Sequence, residues 1–139
     1  MHETELDNLT ARSAWEDSQE VHFRLITAFS RQWAARPHLW RPPTDLLETA
    51  QAYLVRVEVA GMQEGELSIA IEGREMAIYG VRKLPASQPA HEAAYHQMEV
   101  RFGEFLSALQ LPGPVDSEHI AANYRDGFLI VTLPKERAS

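Results

Sequence analysis

Apolar and polar residues trade places one by one through Tyr53-Leu54-Val55-Arg56-Val57-Glu58-Val59: Tyr53, Val55, Val57 and Val59 point one way, Leu54, Arg56 and Glu58 the other. A period of two suits a strand with one buried face and does not suit a helix, whose faces repeat every 3.6 residues. The pattern recurs. Leu67-Ser68-Ile69-Ala70-Ile71 alternates between Gly65 and Gly73, and Glu75 to Val81 forms a third run with Gly80 inside it. A glycine within a strand usually marks a bulge or a close backbone approach. Shorter runs cover Tyr95 to Arg101 and Phe105 to Leu111, the latter stopped by Pro112-Gly113-Pro114. The last two, Ile120 to Tyr124 and Phe128 to Leu133, flank Arg125-Asp126-Gly127. An Asp-Gly pair between alternating runs signals a hairpin, because the tight turn needs positive backbone angles. In the final run Leu129, Val131 and Leu133 line one face, Phe128 and Ile130 the other. Both faces are apolar, which places the strand in the middle of a sheet. Short strands at this spacing, with polar turns, point to an antiparallel sandwich rather than a βαβ protein.

The first third of the chain is different. Residues 11 to 35 hold neither proline nor glycine, and then Pro37, Pro42 and Pro43 arrive close together. Proline disfavours helix at and just before itself, so a linker is placed at about Arg36 to Thr44. Before it, Val21, Leu25, Phe29 and Trp33 fall at i, i+4, i+8 and i+12, and Ile26 widens that face, which predicts an amphipathic helical arm. Trp15 and Phe23 lie off the strict face, and with Trp40 they make this the densest aromatic region of the chain. Two readings stay open: a helix packed on its own domain, or a sticky arm that packs between subunits or on non-native proteins. From Lys83 to Ala94 the chain carries Pro85, Pro89 and little periodicity, and reads as a long loop.

Composition excludes several kinds of chemistry. The net charge is -7, with -1 of it up to Arg41 and -6 after it. Neither part offers the basic surface that sequence-blind phosphate binding needs, so no nucleic-acid partner is expected. The chain has no cysteine, hence no disulfide, thiol nucleophile or thiolate metal site. There is no Gly-Xaa-Ser-Xaa-Gly elbow, phosphate-binding glycine loop or His-Glu-Xaa-Xaa-His pair. The six histidines do not cluster by spacing; His91 and His96, five apart, read as solvated or interface residues. Glu58, Glu64, Glu66, Glu72 and Glu75 fall on turns and polar faces, as a solvated acidic surface would. No enzyme, cofactor or metal is expected. The acidic start, Met1-His2-Glu3-Thr4-Glu5, has no apolar run behind it, and no stretch is long and apolar enough to span a membrane. A soluble cytoplasmic protein is expected.

The segment Ala122-Asn123-Tyr124-Arg125-Asp126-Gly127-Phe128-Leu129-Ile130-Val131-Thr132-Leu133-Pro134 resembles the closing hairpin of the small heat shock proteins, the α-crystallin or Hsp20 family. Ala122, Gly127, Leu129, Val131, Leu133 and Pro134 occupy that family's places. Upstream, Tyr95-His96 through Glu99, Arg101, Gly103 and Phe105 is similar to its Tyr-His segment, and Leu111-Pro112 to its Leu-Pro stop. Met76-Ala77-Ile78-Tyr79-Gly80-Val81-Arg82 is similar to its Leu-Thr-Ile-Xaa-Gly-Xaa-Arg strand. The pieces follow one another in family order over about Pro43 to Lys135. There are three departures. Alanine stands before Gly61 where the family has proline. Ser107 stands where it has an arginine linked to ion pairs at the dimer interface. The chain ends Lys135-Glu136-Arg137-Ala138-Ser139, without the family's Ile-Xaa-Ile tag.

The resemblance implies an all-β, Ig-like antiparallel β-sandwich, the α-crystallin domain, over residues 42–135. A helical N-terminal arm would occupy 1–41 and a short tail 136–139. It implies an ATP-independent holdase that needs no cofactor and keeps partly unfolded client proteins from aggregating. The client surface would be the arm (Trp15, Phe23, Leu25, Ile26, Phe29, Trp33) and a sheet-edge groove near Leu67, Ile69, Ile71, Ile120 and Ala122. For at least half of those groove residues ordinary core is the preferred reading. Loop length and prolines favour a homodimer that exchanges the 83–100 loop and strand, with Tyr95, His96, Met98, Glu99 and Val100 at the interface. The missing tag implies weaker or absent cages. Another chain's tag or the N-terminal arm would fill the empty groove, and higher or hetero-oligomers remain open. A p23-like co-chaperone or adaptor on the same sandwich is the alternative.

Overall fold

The computed structural model describes residues 22–26, 39–62, 66–84 and 93–137, with backbone alone for 22–26 and Glu66. Eight strands are present among them: β1 His22–Ile26, β2 Thr44–Glu48, β3 Ala52–Glu58, β4 Glu66–Glu72, β5 Glu75–Arg82, β6 Gly103–Gln110, β7 Ala121–Arg125 and β8 Phe128–Pro134. They form two four-stranded sheets, β1-β4-β5-β6 (sheet A) and β2-β3-β8-β7 (sheet B). The alternation works as expected. On β3, Tyr53, Val55 and Val57 are buried and Arg56 and Glu58 exposed; on β4, Leu67, Ile69 and Ile71 turn inward. These residues meet Met76, Ile78, Phe105, Leu129, Val131 and Leu133 in one cluster between the sheets. Such a cluster is the main favourable term in folding.

The closing hairpin forms at Asp126 and Gly127, whose φ angles are 53° and 83°. Both positive angles suit the strand twist of a tight hairpin. A Cβ on Gly127 would also stand 3.1 Å from the Cβ of Ala60, so glycine is required there twice over. β8 lies in the middle of sheet B, between β3 and β7. Its Leu129 face is fully buried, while Phe128 on the other face is 37% exposed. Gly80 introduces no bulge: β5 keeps an unbroken register with β4 and with β6.

Three elements differ from the sequence expectation. The described part of the arm is a strand, not a helix: β1 pairs parallel with β4, from His22 opposite Glu66 to Ile26 opposite Ala70. The stretch His22-Phe23-Arg24-Leu25-Ile26 also alternates at period two. An unpaired sheet edge rewards that reading with backbone hydrogen bonds that a helix face does not supply. The rest of the expected helix, with Phe29 and Trp33, lies outside the described residues, as does Trp15. Tyr95–Arg101 is not a strand within its own chain. β2 forms at the end of the expected linker and pairs with β3.

Candidate subunit and client surfaces

Trp40, counted above with the aromatic arm, is core. Its backbone bridges to Phe105 on the outer edge of β6, accepting from Leu106 N at 2.9 Å. Its indole is 8% exposed, donates to Gly103 O at 3.3 Å and lies 5.3 Å from the Phe105 ring. The Arg82 guanidinium sits 4.5 Å over that indole and 5.4 Å from the Phe102 ring, a cation–π arrangement. Its Nε donates to Arg101 O at 2.8 Å, Nη2 donates to the same oxygen, and Nη1 donates to Ala60 O at 3.3 Å. Burial lowers the Arg82 pKa from its ordinary value, an effect opposed by Tyr124. Arg82 therefore fastens the end of β5 both to the chain after β3 and to the segment before β6.

The five expected groove residues are Leu67, Ile69, Ile71, Ile120 and Ala122. All are at most 5% exposed and belong to the main core cluster. They do not line an open groove. What the β4 edge presents is backbone, and β1 occupies it, with Phe23, Leu25 and Ile26 opposite Leu67, Ile69 and Ala70. The arm residues and the groove residues are thus brought together.

The expected interface residues are on the surface. Tyr95, Met98 and Val100 are 56%, 63% and 61% exposed, and His96 and Glu99 are exposed beside them. Large apolar side chains in succession on a surface mark an interaction site. An open cleft of about 570 Å³ is lined by Trp40, Met98, Glu99, Val100, Arg101 and Phe102. Sequence reasoning missed a second apolar surface. β2 is an edge strand of sheet B, and its Leu46 and Leu47 are 38% and 41% exposed. The signal was present in Asp45-Leu46-Leu47-Glu48, two leucines between carboxylates, but the preceding prolines hid it. Asp45 and Glu48 pair with Arg56 and Lys135, each at 2.6 Å.

At the arginine-to-serine departure, Ser107 is fully buried, with its Oγ 2.7 Å from Thr44 Oγ1. Thr44 spends its own proton on Pro42 O at 2.9 Å, so Ser107 is the donor between them. The hydroxyl pair ties β6 to β2 across the sandwich. A guanidinium is nonetheless close by: Arg41 Nη1 donates to Ala108 O at 3.1 Å. Tyr124, also fully buried, donates to Val59 O at 2.8 Å and accepts from Met62 N at 3.4 Å. Burial raises its pKa above the ordinary value, opposed by the Met62 N–H and by Arg82.

Among the described residues no three His, Asp or Glu side chains are grouped to hold a metal ion. His119 and Asp116 form one exposed pair at 2.7 Å. No helix among the described residues is long and apolar enough to cross a membrane.

The fold is a two-layer β-sandwich that leaves strand edges and several large apolar side chains exposed. The chain belongs to the Hsp20/alpha crystallin family, whose model matches residues 45–139. Small heat shock protein C4 of Rickettsia felis is 28% identical over 139 residues, covering 99% of this chain and 84% of that protein. The 17.0 kDa class II heat shock protein of Zea mays is 35% identical over 94 residues, 67% of this chain and 59% of the maize protein. Among solved structures, heat shock protein 16.0 of Schizosaccharomyces pombe superposes with a TM-score of 0.62 at 29% identity, covering 71% of this chain and 90% of that one. HspA of Xanthomonas axonopodis gives 0.61 at 25%, covering 72% and 98%. This is the family of small heat shock proteins, known as chaperones and not as enzymes.

Proposed function

We propose that the chain is an ATP-independent holdase that binds partly unfolded proteins and slows their aggregation. One observation carries this reading: the sandwich already holds an extended segment, β1, on the edge of β4. Unfolding proteins expose apolar surface and unpaired strands, which are the features such an edge and the arm's aromatics would take up. Neither nucleotide nor metal enters the mechanism. The affinity comes from backbone pairing and from apolar area removed from water.

We further propose a homodimer in which the 83–100 segment is exchanged. Tyr95, Met98 and Val100 of each protomer would cover the Leu46 and Leu47 edge of β2 in its partner. Two exposed apolar surfaces, one an edge strand and one without a strand partner in its own chain, support this arrangement. Deleting residues 83–98 is expected to give monomers by light scattering, and unchanged dimers would refute the exchange.

The activity is tested with a heat-aggregating client and no ATP, comparing the full chain with residues 42–139. Suppression that depends on the arm supports the holdase. No suppression by either form would move the reading to a p23-like adaptor.

A further inference from the structure

The exposed segment 93–100 runs into β6 through Arg101, Phe102 and Gly103. This joint is gripped from several sides. Two guanidinium donors of Arg82, Nε at 2.8 Å and Nη2, converge on the single oxygen Arg101 O. The same guanidinium lies 4.5 Å from the Trp40 ring and 5.4 Å from the Phe102 ring. The Trp40 indole N–H donates to Gly103 O at 3.3 Å. The remaining Arg82 contact runs from Nη1 to Ala60 O at 3.3 Å, on the chain that leaves β3 in sheet B. The joint is thus fixed relative to both sheets. Gly103 has φ 93°, a left-handed angle that favours glycine, and it makes the corner between the segment and β6. A Cβ there would meet no atom within 4 Å, so the glycine answers to the corner's backbone angle and not to crowding.

Past the joint, residues 93–100 pair with no strand among the described residues, and Tyr95, Met98 and Val100 stand exposed. Where the segment points is therefore decided at its root. Six residues stretched to strand length, as from Arg101 back to Tyr95, span about 20 Å. A direction error of about 20° at the joint displaces the far end by about 7 Å, more than the roughly 4.8 Å between neighbouring strands. A loose root would lose the register of any strand pairing the segment makes. The planar guanidinium suits the task, because its rigid fork can hold one carbonyl with two donors while its face lies on aromatic rings. An ammonium has neither the fork nor the flat face.

We infer that Arg82, together with the Gly103 corner, is the positioning residue of the subunit interface. It fixes the direction in which residues 93–100 leave the protomer, and so brings Tyr95, Met98 and Val100 to the β2 edge of a second copy. Arg82 acts through the segment and does not touch the partner. The inference rests on the exchanged dimer proposed above and adds the residue that sets its geometry.

The test uses the full chain and two variants. Arg82→Lys keeps the charge and loses the two-donor grip and the stacking. Phe102→Leu keeps Arg82 and Trp40 and removes one ring, so it carries the test if Arg82→Lys fails to fold. The chain has no cysteine, so a fluorescent maleimide at His96→Cys reports on the segment. A second, at Glu72→Cys on the exposed end of β4, reports on the body. Time-resolved anisotropy is read at dilutions where the protomers are separate. The label at 96 should loosen in both variants, and the label at 72 should not. Sedimentation velocity of the unlabelled proteins should show the dissociation constant raised about tenfold by Arg82→Lys, since both protomers must present the segment and a fall in the competent fraction to about a third counts twice. Motion at 96 that does not change, or that changes equally at 72, would overturn the inference. A looser segment with an unchanged dissociation constant would overturn it too, provided Met98→Ser with Val100→Ser weakens the same dimer. Association indifferent to that serine pair would instead refute the exchanged dimer, and this inference with it.

Discussion

Replacing Met98 and Val100 together by serine should weaken the proposed dimer and leave the protomer intact. In the single chain these side chains are 63% and 61% exposed. Burying a whole Met or Val side chain is worth about 1.5–3 kcal/mol. Covering the exposed six-tenths of each is therefore worth about 1–2 kcal/mol. In a two-fold dimer each residue acts twice, so the four side chains supply about 4–7 kcal/mol. At 1.4 kcal/mol per decade, losing that raises the dissociation constant about a thousandfold or more. An interface that covers only half the area would still give about thirtyfold. Sedimentation velocity over a dilution series reads the shift. The unfolding free energy, from thermal melts at dilutions where both proteins are monomeric, should stay within about 0.5 kcal/mol of the parent, because surface residues carry little folding energy. An unchanged dissociation constant would refute the exchange arrangement. A fall in midpoint without a change in association would show that the two side chains pack within their own protomer instead.

Tyr124→Phe leaves Val59 O and the Met62 N–H without their partner and should cost about 1–3 kcal/mol at pH 7 by chemical denaturation. The raised folded-state pKa of Tyr124 means that its contribution is present below the unfolded value and is lost as pH rises above about 10, when only the unfolded chain ionises. The gap between wild type and variant should therefore narrow above pH 10, and a gap constant to pH 11 would count against the assignment. Gly127→Ala places a side chain at φ 83° and against Ala60, and should lower stability by about 1–3 kcal/mol, checked by thermal melting. Thr44→Val strands the Ser107 hydroxyl in the core and should cost about 1–3 kcal/mol, whereas adding Ser107→Ala should recover part of the loss.

Much of the sandwich was legible in short windows of sequence, because alternation and turn chemistry are decided between near neighbours. Tyr53 to Val59 and Leu67 to Ile71 could bury only one set of side chains, and Asp126-Gly127 could do little but turn the chain back. The surfaces were legible in part. Tyr95, Met98 and Val100 are exposed, but the resemblance, not the alternation, pointed to them as an interface. The groove residues could not be told from core by pattern, since an inward-facing residue beside an edge alternates like any other.

The tertiary structure decided the rest, and in each case it did so through an edge. His22–Ile26 suits a helix by its i, i+4 spacing and a strand by its alternation; the unpaired border of β4 settled it as a strand. Trp40 reads as one more aromatic in a sticky arm until the border of β6 and the cation of Arg82 seat it in the core. Thr44–Glu48 follows two prolines and looks like linker until β3 offers it a partner. An amino-acid pattern records which face of a segment avoids water. Which border is free to receive that segment is set by residues tens of positions away, and becomes known only when the sheets have closed.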